Sequence, residues 1–230
     1  MFVDSIGSHV FSTDANGTEP TMAIPTADTV NYKEGISSLF MDSYDFDASG
    51  LEILDANLNA GFPLKNGDTN KKISVCFWIK PDRFSLWDGW YKTYFSKGED
   101  FDNDKRSFEV GVFNSSGTHY PAIRVSSNGT IYTVYLHGTA LALNTWYHFA
   151  ATYEVGAYRL RIWDDTAGAI LGNDATGVAI EAFVGTGPLW IGIPTIVQRT
   201  LSGRLDELVV FDSVISVETI DAIRNGTYGT

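Results

Sequence analysis

The nine residues from Ile73 to Pro81, with the sequence ISVCFWIKP, decide the fold class of this chain. Apolar residues stand at nearly every position, as is typical of a strand that is covered on both faces. Pro81 has no N–H to donate to a sheet, and we therefore expect the strand to end there. The single cysteine, Cys76, lies inside this run and is predicted to be a core residue.

Short strand-like runs separated by turn signals continue on both sides of this stretch. Asn128-Gly129 and Gly156 each stand between two such runs. Both predict β-hairpins, because these residues tolerate the positive φ of tight turns. Only Ser216 to Arg224 has the pattern of a helix, with Ser216 as its N-cap and Asn225-Gly226 as its stop signal.

Many short strands and one terminal helix predict an all-β fold. We expect a two-sheet antiparallel jelly-roll sandwich with a short C-terminal helix, formed by residues 1–230 as one domain. The formal net charge of -12 argues against nucleic acid or a membrane surface as a partner, because both attract clustered Lys and Arg. No apolar run approaches the ~18 residues of a membrane span.

Five sequence blocks occur in a fixed order along residues 35–224. They are Gly35–Asp42 (GISSLFMD), Ile73–Pro81 (ISVCFWIKP), Tyr94–Gly98 (YFSKG), Asn144–Tyr153 (NTWYHFAATY) and Ser202–Phe211 (SGRLDELVVF). Together they resemble the strands of laminin-G-like domains, which are concanavalin A-like lectin and glucanase jelly rolls. The opening, Phe2 to His9 (FVDSIGSH), is similar to that of versions found in bacteriophage structural proteins.

The catalytic strings of enzymes with this architecture are missing from the sequence. The β-glucanases of the superfamily carry E-x-D-x-x-E on one strand, and alginate-lyase-like jelly rolls carry Q-I-H, but neither string occurs here. Asp206 and Glu207 are adjacent, so alternation along a strand predicts that they point to opposite faces. We therefore expect that the chain is not an enzyme.

The resemblance implies a non-catalytic carbohydrate- or surface-binding module of a virion or secreted adhesin-like protein. Such a module acts outside the cell or on the virion surface. Its expected partners are a glycan or another cell-surface ligand, and neighbouring virion or adhesin subunits. Two alternatives stay open: a purely structural virion decoration or assembly protein, and a glycan-active hydrolase or lyase.

The best candidates for ligand binding are four neighbours in a segment between two predicted strands: Trp87, Asp88, Trp90 and Tyr91. Exposed aromatic rings stack on sugar faces, and carboxylates accept hydrogen bonds from sugar hydroxyls. A large apolar group in a loop either binds a partner or packs back on the core, and both interpretations stay open. The remaining strand tryptophans are predicted to be core residues: Trp78, Trp146, Trp163 and Trp190.

Acidic residues point to a structural calcium ion. In the superfamily that the chain resembles, calcium often joins the N-terminal segment to an aspartate of the last long strand. This implies Asp206, with Asp4 or Asp42 as partners, because calcium takes about six to eight oxygen ligands. A second candidate is the acidic run of Asp100, Asp102 and Asp104, which lacks the glycine and glutamate of an EF-hand. The alternatives are a carboxylate that bonds backbone N–H groups and a solvated acidic loop.

Overall fold

The computed structural model describes residues 2–3, 10–11, 26–41, 50–85, 87–98, 105–192 and 202–229. The first strands in these ranges are β1 Phe2–Val3, β2 Val10–Phe11, β3 Thr26–Asp28, β4 Ser38–Met41, β5 Leu51–Ile53, β6 Ile73–Arg83, β7 Tyr91–Lys97 and β8 Phe108–Ser115. The later ones are β9 Thr118–Ser126, β10 Tyr132–Leu136, β11 Tyr147–Glu154, β12 Ala157–Asp164, β13 Ala169–Ile170, β14 Ala175–Gly177, β15 Leu189–Ile191 and β16 Ser202–Phe211. The helix α1 spans Val217–Arg224, and a 3₁₀ turn spans Asp55–Asn57.

The longer strands form two antiparallel sheets. The six-stranded sheet has the order β10-β9-β8-β7-β15-β5. The eight-stranded sheet has the order β13-β12-β11-β6-β16-β4-β3, with β14 paired to β12, and β1 pairs with β2 separately. Both predicted hairpins are present, as β9–β10 and β11–β12. This arrangement confirms the predicted all-β jelly-roll sandwich.

The core lies between the two sheets. Phe77 of β6 stacks on Phe149 of β11 with 5.4 Å between ring centroids. Tyr94 of β7 meets both rings edge-on, at 6.1 Å and 5.6 Å. Because β7 belongs to the six-stranded sheet and the other two strands to the eight-stranded sheet, these rings join the layers. Alternation then turns the residues next to them toward the outer faces.

The strand β6 runs two residues beyond the predicted end at Pro81. Its pairing with β11 stops at Ile79, so the missing N–H of Pro81 interrupts no hydrogen bond of that ladder. On the other side, Pro81 pairs with Gly203 next to a register shift in β16. A proline is tolerated inside a strand at such an irregular position.

The helix α1 covers part of the outer face of the eight-stranded sheet. Ile220 and Ile223 pack there on Cys76 and on Ala150 of β11. Burial raises the pKa of the Cys76 thiol to about 12. The expectation that β6 is covered on both faces is thereby confirmed, with the second sheet on one side and the helix on the other. Among the described residues, no helix is long and apolar enough to cross a membrane.

Gly203 allows β16 to approach β6 closely. Its φ is +139°, and a Cβ atom at this position would lie 2.3 Å from the carbonyl oxygen of Lys80. We expect Gly203→Ala to lower the free energy of unfolding by at least about 1 kcal/mol, because the backbone would have to shift. Urea denaturation measures this loss. The matched control is Gly138→Ala, where an added Cβ meets nothing within 4 Å; an equal loss in both variants would contradict the prediction.

Candidate functional site

The loop between β6 and β7 presents an aromatic surface to solvent. The side chain of Trp87 is 56% exposed, and Trp90 is half-buried. Their ring centroids lie 6.0 Å apart, with the ring planes inclined by 37°. Two neighbouring indoles at this spacing offer a continuous apolar surface of the kind on which a sugar ring packs.

A buried asparagine of β8, Asn114, holds this loop in place. Its Nδ2 donates hydrogen bonds to the carbonyl oxygens of Ser85 at 2.9 Å and Trp87 at 3.0 Å. Its backbone N–H donates to the carbonyl of Trp90 at 2.8 Å, and its own carbonyl accepts from Gly89 at 2.9 Å. The described residues of the loop, Ser85 and 87–90, are therefore held in place from within the protein before any ligand arrives.

Asp88 lies at the exposed tip of the same loop. Its Oδ1 accepts hydrogen bonds from the backbone N–H groups of Gly89, at 3.0 Å, and of Ser116. These bonds tie the loop tip to the β8–β9 turn and hold the carboxylate beside the exposed tryptophan. Trp87, Asp88 and Trp90 thus share one surface.

Tyr91 does not belong to this surface, although the sequence predicted that it would. It is the first residue of β7 and is 1% exposed. Its hydroxyl donates to the carbonyl oxygen of Ala122 at 2.7 Å, and the guanidinium carbon of Arg124 lies 4.0 Å from its ring centroid. The strand turns the side chain into the sheet, where a ligand in the loop cannot reach it.

Asp206, the aspartate predicted to bind calcium, is buried and bonded to backbone N–H groups. Its Oδ2 accepts from Lys33 at 2.7 Å and from Glu34 at 3.2 Å. Its Oδ1 accepts from Glu207 at 3.0 Å. Asp206 thereby fastens the segment before β4 to the long strand β16. This is the alternative role that the sequence left open for it.

The residues that surround Asp206 do not by themselves fit a calcium ion. Both carboxylate oxygens already face N–H donors, and calcium takes about six to eight oxygen ligands. In the part of the chain that the structure describes, no group of three or more His, Cys, Asp and Glu side chains could hold a metal. The other predicted ligands all lie outside the described residues: Asp4, Asp42, Asp100, Asp102 and Asp104. Calcium binding therefore stays a prediction.

A cavity of about 340 Å³ lies on the outer face of the eight-stranded sheet, next to the end of α1. Trp78 of β6 and Trp163 of β12 line it, and both are register partners of His148 on the strand between them. Asp206 continues this row of register partners on the other side of Trp78. The segment that Asp206 fastens supplies a further part of the wall, through Lys33 and Glu34.

Charged residues of both signs line the cavity. Lys33 Nζ lies 2.7 Å from Asp165 Oδ1 and 4.4 Å from the ring centroid of Trp78. The guanidinium carbon of Arg224 lies 3.7 Å from the ring centroid of Trp163. Each indole therefore carries a cation of the protein itself over one face, which is a favourable arrangement.

His148 lies beneath this wall as a neutral side chain. Burial, together with the positive charges of Arg224 and Arg161, lowers its pKa to about 3. Its ring meets Trp78 with 5.2 Å between centroids. His148 Nε2 and Trp78 Nε1 are buried and have no hydrogen-bond partner within the described ranges. Since buried polar atoms are nearly always paired, the two orphaned atoms mark this wall as unusual.

A family model supplies the decisive comparison. The Laminin_G_3 model, described as the concanavalin A-like lectin/glucanases superfamily, matches residues 55–221. The chain belongs to this superfamily. A comparison with curated protein sequences gives no match.

Solved structures of the same fold come from several kinds of protein. Domain 4 of AbnA, a GH43 extracellular arabinanase from Geobacillus stearothermophilus solved with arabinotriose, is 14% identical with a TM-score of 0.61, covering 94% of this chain and 87% of that one. The binding domain of Paraclostridial Mosquitocidal Protein 1 is 10% identical, with a TM-score of 0.59 and coverage of 95% and 50%. The active domain of tailspike protein 2 from bacteriophage CBA120 is 14% identical, with a TM-score of 0.58 and coverage of 93% and 32%. At these identities the likeness concerns the fold, and our chain spans about a third of that tailspike chain.

Glycosidases act through two closely spaced carboxylates, and in the six-stranded sheet the two glutamates that could be compared with such a pair are Glu52 and Glu109. Glu52 of β5 and Glu109 of β8 lie in one row of register partners, with Trp190 and Ser96 between them. Three strand spacings separate their Cα atoms by about 14 Å, so the two side chains would have to lean toward each other to bring their carboxyl groups to the about 5–10 Å of a catalytic pair. Glu109 is moreover fully buried and ion-paired with Arg124.

The carboxylates of Asp206 and Glu207 lie where β16 is irregular. The pairing of β16 with β6 shifts between Asp206 and Val209, and Glu207 has a φ of +49°. The strict alternation that predicted opposite faces therefore does not apply at this point. Partial burial, with the negative charges of Asp206 and Glu34, raises the pKa of Glu207.

Sequence reasoning missed the cavity because it assigned the strand tryptophans to the core. Trp78 and Trp190 are buried, as predicted, but they lie on the outer faces of the sheets, and Trp78 lines the outer cavity together with Trp163. A signal was present in β6, where Phe77 and Trp78 are neighbours and cannot both face the same layer. If Phe77 is assigned to the core between the sheets, alternation along the strand predicts that Trp78 faces outward.

Proposed function

We propose that this chain is a non-catalytic glycan-binding module of a virion or secreted adhesin-like protein. One observation carries the proposal: Trp87 is a large exposed aromatic residue on a loop whose backbone a buried asparagine holds fixed. A surface that is ordered before binding loses little conformational entropy when a ligand docks. Asp88 stands next to the ring and would accept hydrogen bonds from sugar hydroxyls.

The relatives support a glycan as the ligand class to test first. The arabinanase domain was solved with arabinotriose, and the tailspike belongs to a bacteriophage. Both support a setting outside the cell or on a virion. The absence of the catalytic strings E-x-D-x-x-E and Q-I-H from the sequence supports a role without catalysis.

The test is a glycan array followed by titration calorimetry of the glycans that bind. We expect Trp87→Ala to weaken binding about tenfold or more, as is typical when an anchoring tryptophan is truncated. Tyr228→Ala is the matched control, because Tyr228 is exposed to a similar extent, 53% against 56%. Equal binding by the wild type and Trp87→Ala would contradict the proposed site.

The same titrations separate the alternatives. If the wild type binds no glycan at high protein concentration, the result favours a purely structural virion subunit. Shortened glycan products after incubation would favour a hydrolase or lyase. Thermal unfolding measured once with calcium and once with EDTA tests the calcium hypothesis, which predicts a lower melting temperature in EDTA.

A further inference from the structure

The cavity beside α1 has the features of a ligand site that is separate from the tryptophan loop. It lies on the eight-stranded sheet, whereas the loop is tied to the β8–β9 turn of the six-stranded sheet. Its volume of about 340 Å³ is at the lower end of the range for small-molecule pockets, about 300–1,000 Å³. This size suits a single sugar ring.

Two arginines beside the cavity, Arg161 and Arg224, share one carboxylate, that of Asp221. The guanidinium of Arg224 forms a loose ion pair with Asp221, whose Oδ1 lies 3.5 Å from Nη2. Arg161 also contacts that carboxylate, at 3.3 Å. Arg224 Nε and Trp78 Nε1 are buried without partners. Because those two atoms are inaccessible, a ligand that brings acceptor oxygens would instead meet the outer guanidinium nitrogens of Arg224, which lines the cavity.

The lining carries two positive and two negative side chains, but the positions of the two cations over the indoles favour an anionic group of the ligand at this end. Lys33 and Arg224 already occupy one face of each indole, so a cationic ligand would have to displace them and would meet two positive charges. A carboxylate, in contrast, accepts paired N–H bonds from a guanidinium. Asp165 and Glu34, on the same wall, are acceptors for hydroxyl groups.

We propose that this cavity binds a monosaccharide that carries a carboxylate, with Arg224 on the carboxylate and Asp165 or Glu34 on the hydroxyls. The choice of a sugar rests on the proposed glycan-binding function, whereas the site itself rests on the cavity. The wall is formed in advance, because Asp206 fastens the backbone of Lys33 and Glu34. Arg224 is likewise placed by the last turn of α1.

Titration calorimetry with matched probes tests this site. The probes are the methyl glycosides of glucuronic acid and N-acetylneuraminic acid, with methyl glucoside as the neutral counterpart of the first. We expect at least one acidic probe to bind about tenfold or more tightly than methyl glucoside, because a charge-assisted bond is added. The preference should shrink as salt rises.

Variants locate the binding. Arg224→Lys keeps a positive charge near Trp163 and should weaken the acidic probe about tenfold, because the paired N–H groups are lost. Arg224→Met should weaken binding of the acidic probe further, and Trp87→Ala should leave the affinity of the cavity for that probe unchanged. Thermal unfolding of each variant checks that it is folded.

Three results would overturn the cavity site. In the first, the wild type binds the acidic and the neutral probe with equal affinity. In the second, both Arg224 variants bind the acidic probe as tightly as the wild type does. In the third, Trp87→Ala no longer binds the acidic probe. The last result would still support glycan binding at the loop. Failure of the two proposals can therefore be told apart.

Discussion

The variant Glu109→Gln should lose about 3–5 kcal/mol of unfolding free energy, because it removes the carboxylate that pairs with the buried positive charge of Arg124. Glu109 is fully buried, and its Oε2 accepts from Arg124 Nε at 2.8 Å. The hydroxyl of Tyr132 donates to Oε1 at 2.6 Å. Arg124 in turn lies between the rings of Tyr91 and Tyr132, 4.0 Å and 4.4 Å from their centroids.

Urea denaturation at neutral pH measures this loss. The matched control is Glu154→Gln, the same chemical change in an exposed pair with Lys72, where we expect a change within about 0.5 kcal/mol. The double variant with Arg124→Met removes both charges and should lose less than the two single variants added together. If Glu109→Gln and Glu154→Gln lose equal amounts, the buried pair does not have the role we assign to it.

Stability should fall as the pH falls from about 6.5 to about 3, and His148 should cause part of this decrease. The pKa of His148 is about 3 in the folded protein, against an ordinary value of 6.5. Between these two values the unfolded chain binds a proton that the folded chain does not, so acid favours unfolding. The loss approaches about 1.4 kcal/mol per pH unit, or about 2 kcal/mol between pH 6.5 and 4.5.

The readout is the slope of unfolding free energy against pH, compared between the wild type and His148→Gln. The variant has no imidazole to protonate, so its slope in this window should be smaller by up to one proton. Carboxylates that titrate at the acid end contribute to both proteins and cancel in the difference. Identical slopes would show that His148 can be protonated in the folded state.

Much of the fold follows from local sequence patterns. The apolar run of β6, the two hairpins and the helix with its Ser216 cap each depend on residues close together in the chain. The end of β6 was predicted two residues early. A proline ends a strand only where a neighbouring strand would accept a hydrogen bond from the N–H that proline lacks. That neighbour, β11, belongs to a distant part of the sequence.

The candidate sites could be predicted only in part. Trp87 and Asp88 are found from the sequence because an exposed aromatic loop is a local feature. The cavity is not local: Trp78 and Trp163 come together only because β11 lies between β6 and β12 with His148 in register. Lys33 and Asp165 are far apart in the sequence but form an ion pair in the folded protein. Such contacts follow from sheet order and register, which the sequence pattern does not specify.

The position of β16 has a consequence for how the protein is made. This late strand lies between β6 and β4, where Arg204 pairs with Lys80 on one side and with Phe40 on the other. During synthesis, β4 and β6 emerge long before the strand that separates them. Until then, each has an open edge that could pair with another chain. Completion of the larger sheet therefore waits until Ser202–Phe211 has left the ribosome, and such long-range pairing is intrinsically slow.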